Sequence, residues 1–388
     1  MIIRTCKWIV FKVIYPLIYF FGSRRKIVPE KIIFVENHGT QLSNDYSLLF
    51  EELKNRRYLL QVHFLGMSTL SWGSIVRKTI ALLWDLSTAS CVFVNESNSA
   101  LGAFTMRKDT KLIQIWHACG AFKKWGYSVA DKSFGDDKKN LEMYSGHRNY
   151  HLVPVSGAEV CWAYEEAFGL QGRSDIIRPM GVSRTDVFFS EDKKAQAYES
   201  FYKWAEQLED IQVKKRKVIV YAPTFRGDIR GAKSPDRLDV RLLAQLREEY
   251  VVLVKQHPFV QETFCIPEEC RGFCVEMKKE LSMEELLMVA DILVTDYSSV
   301  VFEYALMNRP VFFFAYDLED YYDERGFYYP YEEFVPGPIV RTTEELLHHI
   351  RYIEQYDWKR LEQFRDRYMS GCDGHSTERI LDYVLNKE

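Results

Sequence analysis

Nine short, continuous apolar runs, rich in β-branched and aromatic residues, restrict this chain to a narrow set of folds. They read IIFVEN (32–37), LQVHFLG (60–66), CVFVN (91–95), KLIQIWH (111–117), YHLVPVS (150–156), KVIVYAPT (217–224), VVLVKQHP (251–258), ILVTD (292–296) and VFFFAYD (311–317). Helix-length segments separate most of them. A strand with one wet face alternates apolar and polar residues, whereas one that is apolar throughout is covered on both faces. That arrangement belongs to parallel sheets joined by helical crossovers. The chain is therefore expected to be α/β. Residues 190–217 interrupt the series with a charged, helix-patterned stretch that carries no strand signal. At about 150 residues per domain, a chain of 388 residues accommodates two such sheets. The expected division is an N-terminal helix over 1–27, one Rossmann-like domain over 28–188, a linker helix over 189–216, and a second Rossmann-like domain with a helical tail over 217–388.

Charge and cysteine usage narrow the functional classes. Lys and Arg total 51 against 55 Asp and Glu, a net charge of −4, so there is no basic field of the kind a nucleic-acid binder needs. The eight cysteines form no C-x-x-C pair, which points to reduced thiols in a cytoplasmic setting. Cys265, Cys270 and Cys274 lack a fourth ligand and tight spacing for a metal, and His147 and His151 only flank the start of a strand. No metal or cofactor is expected.

The N-terminus, MIIRTCKWIVFKVIYPLIYFFGSRRK, is too broken for a secretory signal or a spanning helix: Lys12 interrupts it, Pro16 sits inside it and no small-residue cleavage site follows. On a helical wheel Arg4, Thr5, Lys7 and Lys12 gather on one side, while Trp8 and Phe11 are among the residues that occupy much of the rest, and Arg24 and Arg25 follow at once. This pattern suits a helix lying in the interface of an anionic membrane. The plainer reading is a helix packed on the protein's own core.

Ligands of open parallel sheets bind beyond the carboxyl ends of the strands, and several strand ends here carry chemistry. After 111–115 comes WHACGAFKKWG. His117 there is a candidate general base beside Lys123 and Lys124, which could meet a phosphate. Cys119 has only its nearness to His117 to suggest a nucleophile. Arg226 follows the strand 217–222, while Lys255 and His257 end the strand 251–254 ahead of Pro258. Cations at two strand ends of one domain suit a polyanionic ligand. Asp296, Ser298 and Ser299 lie where a buried strand enters an apolar helix, a natural phosphate cradle, with Glu303 one turn further in to accept from ribose hydroxyls. The plainer alternatives are a buried core histidine, solvated cations and an ordinary helix cap. No G-x-G-x-x-G, Walker sequence or G-x-S-x-G is present, which weakens dinucleotide, P-loop and α/β-hydrolase readings. An aromatic, acidic loop over Tyr316–Leu346 centres on Arg325 and has the length of a binding loop.

Taken in order, these segments resemble the CDP-glycerol glycerophosphotransferase family of teichoic-acid synthesis. The resemblance rests on Gln114–His117 with Lys123 and Gly126, Pro223–Arg226, Lys255 with His257–Pro258, Thr295–Ser299, Arg325–Phe327 and Pro336–Pro338. Phe225 and Gln256 depart from the usual pattern without removing a charged group. The resemblance implies a GT-B-like pair of Rossmann domains, with the acceptor near the first and the CDP donor in the second. It implies transfer of glycerol phosphate from CDP-glycerol to a hydroxyl of an undecaprenyl-diphosphate-linked saccharide, with release of CMP, at the cytoplasmic face of the bacterial plasma membrane. The wording WHACGAFKKWG is nearer the primases of the family than its polymerases. In this frame His117 and His257 are the catalytic candidates. Arg226, Lys255, Asp296, Ser298, Ser299, Glu303 and Arg325 hold the donor, and Lys123 and Lys124 contact acceptor or phosphate. A CDP-ribitol enzyme, a chain-extending polymerase, a GT-B nucleotide-sugar transferase and a non-catalytic membrane scaffold remain alternatives. The sequence also leaves a homo-oligomer open.

Overall fold

The computed structural model describes residues 2–132, 135–208, 215–227, 231–235 and 237–385, without the side chains of residues 2, 3 and 322–325. It divides into two compact units. The first holds residues 1–119, 124–186 and 370–388, the second residues 120–123 and 187–369.

In the first unit six strands form a wholly parallel sheet: β1 (Val28–Glu36), β2 (Leu59–Phe64), β3 (Ala89–Val94), β4 (Lys111–Gln114), β5 (Tyr150–Pro154) and β6 (Ile177–Arg178), in the order β2-β1-β3-β4-β5-β6. The run IIFV is buried throughout, and Ile32 and Phe34 pack against Tyr46, Leu49 and Leu53 of the helix Asn44–Asn55. The direction of winding reverses between β1 and β3, and a sheet opens a crevice at such a point. The last helix of the chain, Ser376–Leu385, returns to this unit rather than to the second domain expected for the tail. Ile380 and Leu381 are fully buried among Ile32, Phe34, Phe93 and Ile113, and Asp186 accepts from the Ser376 and Thr377 N–H groups at the helix start. An amphipathic helix pattern shows that a face will be buried, not which sheet will bury it.

The N-terminal helix runs as Ile2–Ile9, a π turn over Val10–Ile14, and Tyr15–Gly22. Pro16 lacks an N–H, and the wider π turn just before it lets the helix continue rather than stop. One face packs on the first unit, where Tyr19 stacks on Phe104 at 4.0 Å and accepts from the Arg107 N–H. The other face leaves Trp8, Val13, Leu17, Phe20 and Phe21 exposed.

The second unit repeats the plan with β7 (Lys217–Ala222), β8 (Tyr250–Val254), β9 (Cys274–Glu276), β10 (Ile292–Thr295), β11 (Val311–Phe314) and β12 (Ile339–Val340), all parallel, in the order β12-β11-β10-β7-β8-β9. Its switch point lies between β7 and β10. The helix Glu191–Ala205, expected as a linker, is part of this unit and packs on the helix Met283–Val289. The expected linker also includes residues 209–214, which lie outside the described residues. The short segment Gly120–Lys123 is likewise built into this unit. Phe122 stacks on Phe327 and Phe334, and Lys123 bridges Phe327 in an antiparallel pair. Gly120 has φ +64°, and a Cβ there would lie 2.1 Å from the Phe302 ring, so only glycine fits.

Candidate functional site

The first unit gathers polar side chains at its switch point. Glu36 and Asn37 leave β1, Asn95 leaves β3 and His117 follows β4; all but His117 are buried. Glu36 accepts from the Ser43 N–H at 2.6 Å, and burial, reinforced by Asp45 and Glu96, pushes its pKa up. His117 is exposed, with Nδ1 3.0 Å from the main-chain carbonyl oxygen of Asn95. A carbonyl only accepts, so Nδ1 carries the proton and Nε2 is the free, basic nitrogen.

The residue before it is strained. Trp116 sits at φ 56°, a conformation costly for a bulky side chain. Its N–H donates to Gln114 Oε1 at 2.9 Å, and its ring stacks on His117 at 4.3 Å. Gln114 Nε2 donates to the Tyr150 hydroxyl at 2.7 Å, which lies 3.0 Å from His147 Nδ1. The turn that presents His117 is thus tied to a buried polar core. Burial lowers the His147 pKa to about 4 from an ordinary 6.5. Between those values the unfolded chain binds a proton that the folded one excludes. Stability is therefore expected to fall as pH drops from 6.5 to 4, by about 3 kcal/mol. Denaturant titrations of wild type and His147→Gln across that range should differ in slope; equal slopes would remove this account.

In the second unit the switch point is organised by Arg226. Its Nε and Nη2 donate to the two Asp317 carboxylate oxygens at 2.5 and 2.9 Å, and Nη1 donates to Asp296 Oδ2 at 3.0 Å and to both oxygens of Thr224. The rings of Tyr297, Tyr316 and Tyr321 surround it within 5.6 Å. Burial alone would lower the Arg226 pKa, but the Asp317 hydrogen bonds and the Asp296 charge override that and raise it. Asp296 Oδ1 accepts from the Thr224 and Tyr297 N–H groups at 2.8 and 2.6 Å. Arg226 and Asp296, both expected to hold a donor, are engaged with each other and with Asp317, and so clamp the ends of β7 and β10 to the segment after β11. Asp317, which the sequence reading missed, is the third member.

Lys255 likewise turns inward. Its Nζ donates to the Lys278 and Leu281 carbonyls, and burial lowers its pKa. The Phe259 N–H donates to His257 Nδ1 at 3.2 Å, which leaves the proton on Nε2 as a donor. Burial, then the Lys123 charge, keeps the His257 pKa low and the ring neutral. Ser298 and Ser299 are half-buried before the short helix Val300–Ala305, and Ser299 makes no side-chain cap bond. Glu303 is buried in its first turn. Lys123, 5.3 Å from the Tyr321 ring, belongs to this unit, whereas Lys124 belongs to the first. Arg325 ends the helix Leu318–Arg325, and its side chain lies outside the described residues. Among the described residues no three His, Cys, Asp or Glu side chains group as metal ligands would.

Two parallel six-stranded sheets, each with polar residues at its switch point, make this a GT-B-like pair of Rossmann units. Solved structures share that fold: the wall teichoic acid polymerase TagF soaked with CDPG has a TM-score of 0.77 at 24% identity, covering 98% of this chain and 95% of that one. A UDP-GlcNAc 2-epimerase from Neisseria meningitidis has a TM-score of 0.54 at 13% identity, covering 92% of this chain and all of that one. The chain belongs to the CDP-Glycerol:Poly(glycerophosphate) glycerophosphotransferase family, whose profile it matches over residues 17–386. It is 34% identical to a teichoic acid ribitol-phosphate primase of Bacillus spizizenii over 92% of this chain and 90% of the relative. It is equally identical to that organism's poly(ribitol-phosphate) polymerase, of which it spans 56%. A glycerol-phosphate primase of Bacillus subtilis is 32% identical over 72% of this chain and 69% of the relative.

Proposed function

We propose that this protein transfers a polyol phosphate from a CDP-activated donor to a hydroxyl of a lipid-linked saccharide, releasing CMP. The observation that carries this is His117: exposed at a strand end, with Nδ1 committed to a carbonyl and Nε2 free to take a proton. The acceptor hydroxyl gives its proton to His117 Nε2 as its oxygen attacks the β-phosphorus. The bond from that phosphorus to the CMP oxygen breaks, and CMP leaves. Positioning and charge neutralisation do most of the work in such a transfer. In the second unit the His257 Nε2–H, Ser298 and Ser299 hold the diphosphate, Glu303 the ribose, and Lys123 supplies charge.

The motif wording favours CDP-glycerol and a primase. The near full-length match to a ribitol-phosphate primase favours CDP-ribitol as the second reading. The test is CMP release by purified protein with each donor and a lipid-linked ManNAc–GlcNAc acceptor, with the product mass read. One added glycerol phosphate gives the first reading, ribitol phosphate the second, and many units a polymerase. No CMP from either donor, together with no donor binding, would remove both readings.

The same proposal places the protein peripherally on the cytoplasmic membrane. Trp8, Leu17, Phe20 and Phe21 are each about half exposed on one helix, Arg24 lies over Phe20, and Trp84 is exposed on the adjoining helix Trp72–Leu86. By length and composition Arg4–Gly22 would also pass for a membrane crossing. A crossing would have to extract the buried Tyr15 and Tyr19. Of the residues expected at the membrane, Phe11 and Lys12 turn to the protein, Phe11 onto Tyr144 and Lys12 to the Met143 carbonyl, while Arg25 lies over the exposed Trp84 ring. Replacing Trp8 and Phe20 with serine should weaken binding to phosphatidylglycerol vesicles by at least about tenfold. Unchanged co-sedimentation would end the membrane reading.

A further inference from the structure

The His117 ring is oriented by one hydrogen bond, from Nδ1 to the main-chain carbonyl oxygen of Asn95, beside the Trp116 ring stacked on it; the Asn95 side chain is in turn anchored by a chain of hydrogen bonds that runs away from the reacting edge. Asn95 is 5% exposed at the end of β3. Its Nδ2 donates to Asp45 Oδ2 at 2.9 Å and to the Ser43 hydroxyl at 3.1 Å. Asp45 opens the helix Asn44–Asn55 and is itself 9% exposed. Its other oxygen, Oδ1, accepts from Arg184 Nη1 at 3.0 Å. A buried carboxylate needs a counter-charge, and Arg184 supplies it. The relay Arg184–Asp45 therefore ends on the Asn95 side chain and reaches His117 through the main chain of that same residue, whose carbonyl decides which His117 nitrogen carries the proton.

We infer that Asp45, Asn95 and Arg184 are positioning residues for His117, fixing its Nδ1–H tautomer and its ring plane so that Nε2 is the base. Nothing in the relay touches a reacting atom; it acts through the histidine. A chain of polar groups costs stability when any link is unmet, and its use here is orientation. Second-tier hydrogen bonds of this kind set ring direction in other histidine sites by the same physics. The inference rests on His117 as the base.

The direction of each hydrogen bond gives a test by exchange. Asn95→Asp sets two carboxylates against each other and tilts the carbonyl. Asp45→Asn combined with Asn95→Asp restores one donor and one acceptor: Arg184 donates to the oxygen of the new amide, whose nitrogen donates to the new carboxylate. Asn95→Asp should lower kcat for CMP release by about 10- to 100-fold while the donor KM stays within twofold, because the donor groups lie in the second unit. The double variant should recover most of kcat. Nitrogen-15 spectra of histidine-labelled protein, with the His117 signals found by their loss in His117→Gln, should show Nδ1 protonated and Nε2 bare in the wild type. Full kcat in a folded Asn95→Asp variant would overturn the inference, as would failure of the double variant to recover. A wild-type ring protonated on Nε2 overturns it without any variant, even if Asn95→Asp fails to fold. If His117→Ala itself keeps its activity, it is the base assignment that has failed.

Discussion

Replacing His117 with alanine is expected to lower turnover by about 10²–10⁴-fold while leaving donor affinity within a factor of two. The split follows from where the side chain stands. His117 follows β4 in the first unit, whereas His257, Ser298 and Ser299 follow strands of the second and Glu303 lies in the helix Val300–Ala305 behind them. Under the proposed roles, an alanine takes away the proton acceptor and leaves the donor-binding groups in place. Truncation also leaves the Asn95 carbonyl without its ring partner, but the ring is exposed, so water can replace that hydrogen bond at little cost to folding. Single-turnover CMP release should therefore collapse while calorimetric binding of CDP-glycerol and CDP-ribitol is kept. Retention of more than about a third of the wild-type rate would exclude His117 as the base. Equal loss of rate and donor affinity would instead make it a binding residue.

The sequence showed the sheets better than their edges. All nine apolar runs became strands; eight of them are largely buried, where cover on both faces leaves a continuous apolar signature, and only the edge strand Leu59–Phe64 is half-exposed. The three strands it missed, Ile177–Arg178, Cys274–Glu276 and Ile339–Val340, are sheet edges of two or three residues. Such runs are too short to carry a pattern. The candidate site was legible wherever a strand end carried a rare polar residue, as at His117 and His257. What a linear reading could not show was which polar groups consume one another. Asp317 ends the run VFFFAYD and merges into the acidic loop that follows, yet it takes two of the Arg226 donors. Asn95 and Asp45 are ordinary residues in sequence, 50 positions apart, and only the β1–β3 switch point brings them together. The signal for Asn95 was present in the rule that ligand residues follow strands, since it ends the run CVFVN, but nothing singled out its partner.

Arg226 separates structure from binding most sharply. Arg226→Ala is expected to destabilise the second unit by about 3–5 kcal/mol, because it leaves the Asp296 and Asp317 carboxylates facing each other without a cation. Asp296 has only 2% of its side chain exposed and Asp317 only 19%, so water can do little to compensate. For a unit of this size the loss corresponds to a thermal midpoint lower by roughly 10 °C. Arg226→Lys keeps the charge but cannot span both Asp317 oxygens, and it should fall between the two. Combining Arg226→Met with Asp317→Asn removes charges of both signs, and should recover part of the midpoint lost by Arg226→Met alone. A donor-binding arginine behaves differently: its removal costs affinity, leaves the midpoint of the free protein unchanged, and gains nothing from a change at Asp317. An unchanged midpoint in Arg226→Ala, with donor affinity lost, would return Arg226 to the donor site. A lowered midpoint rescued by Asp317→Asn would make it the clamp that sets β7, β10 and the segment after β11 in the places from which His257, Ser298 and Ser299 act.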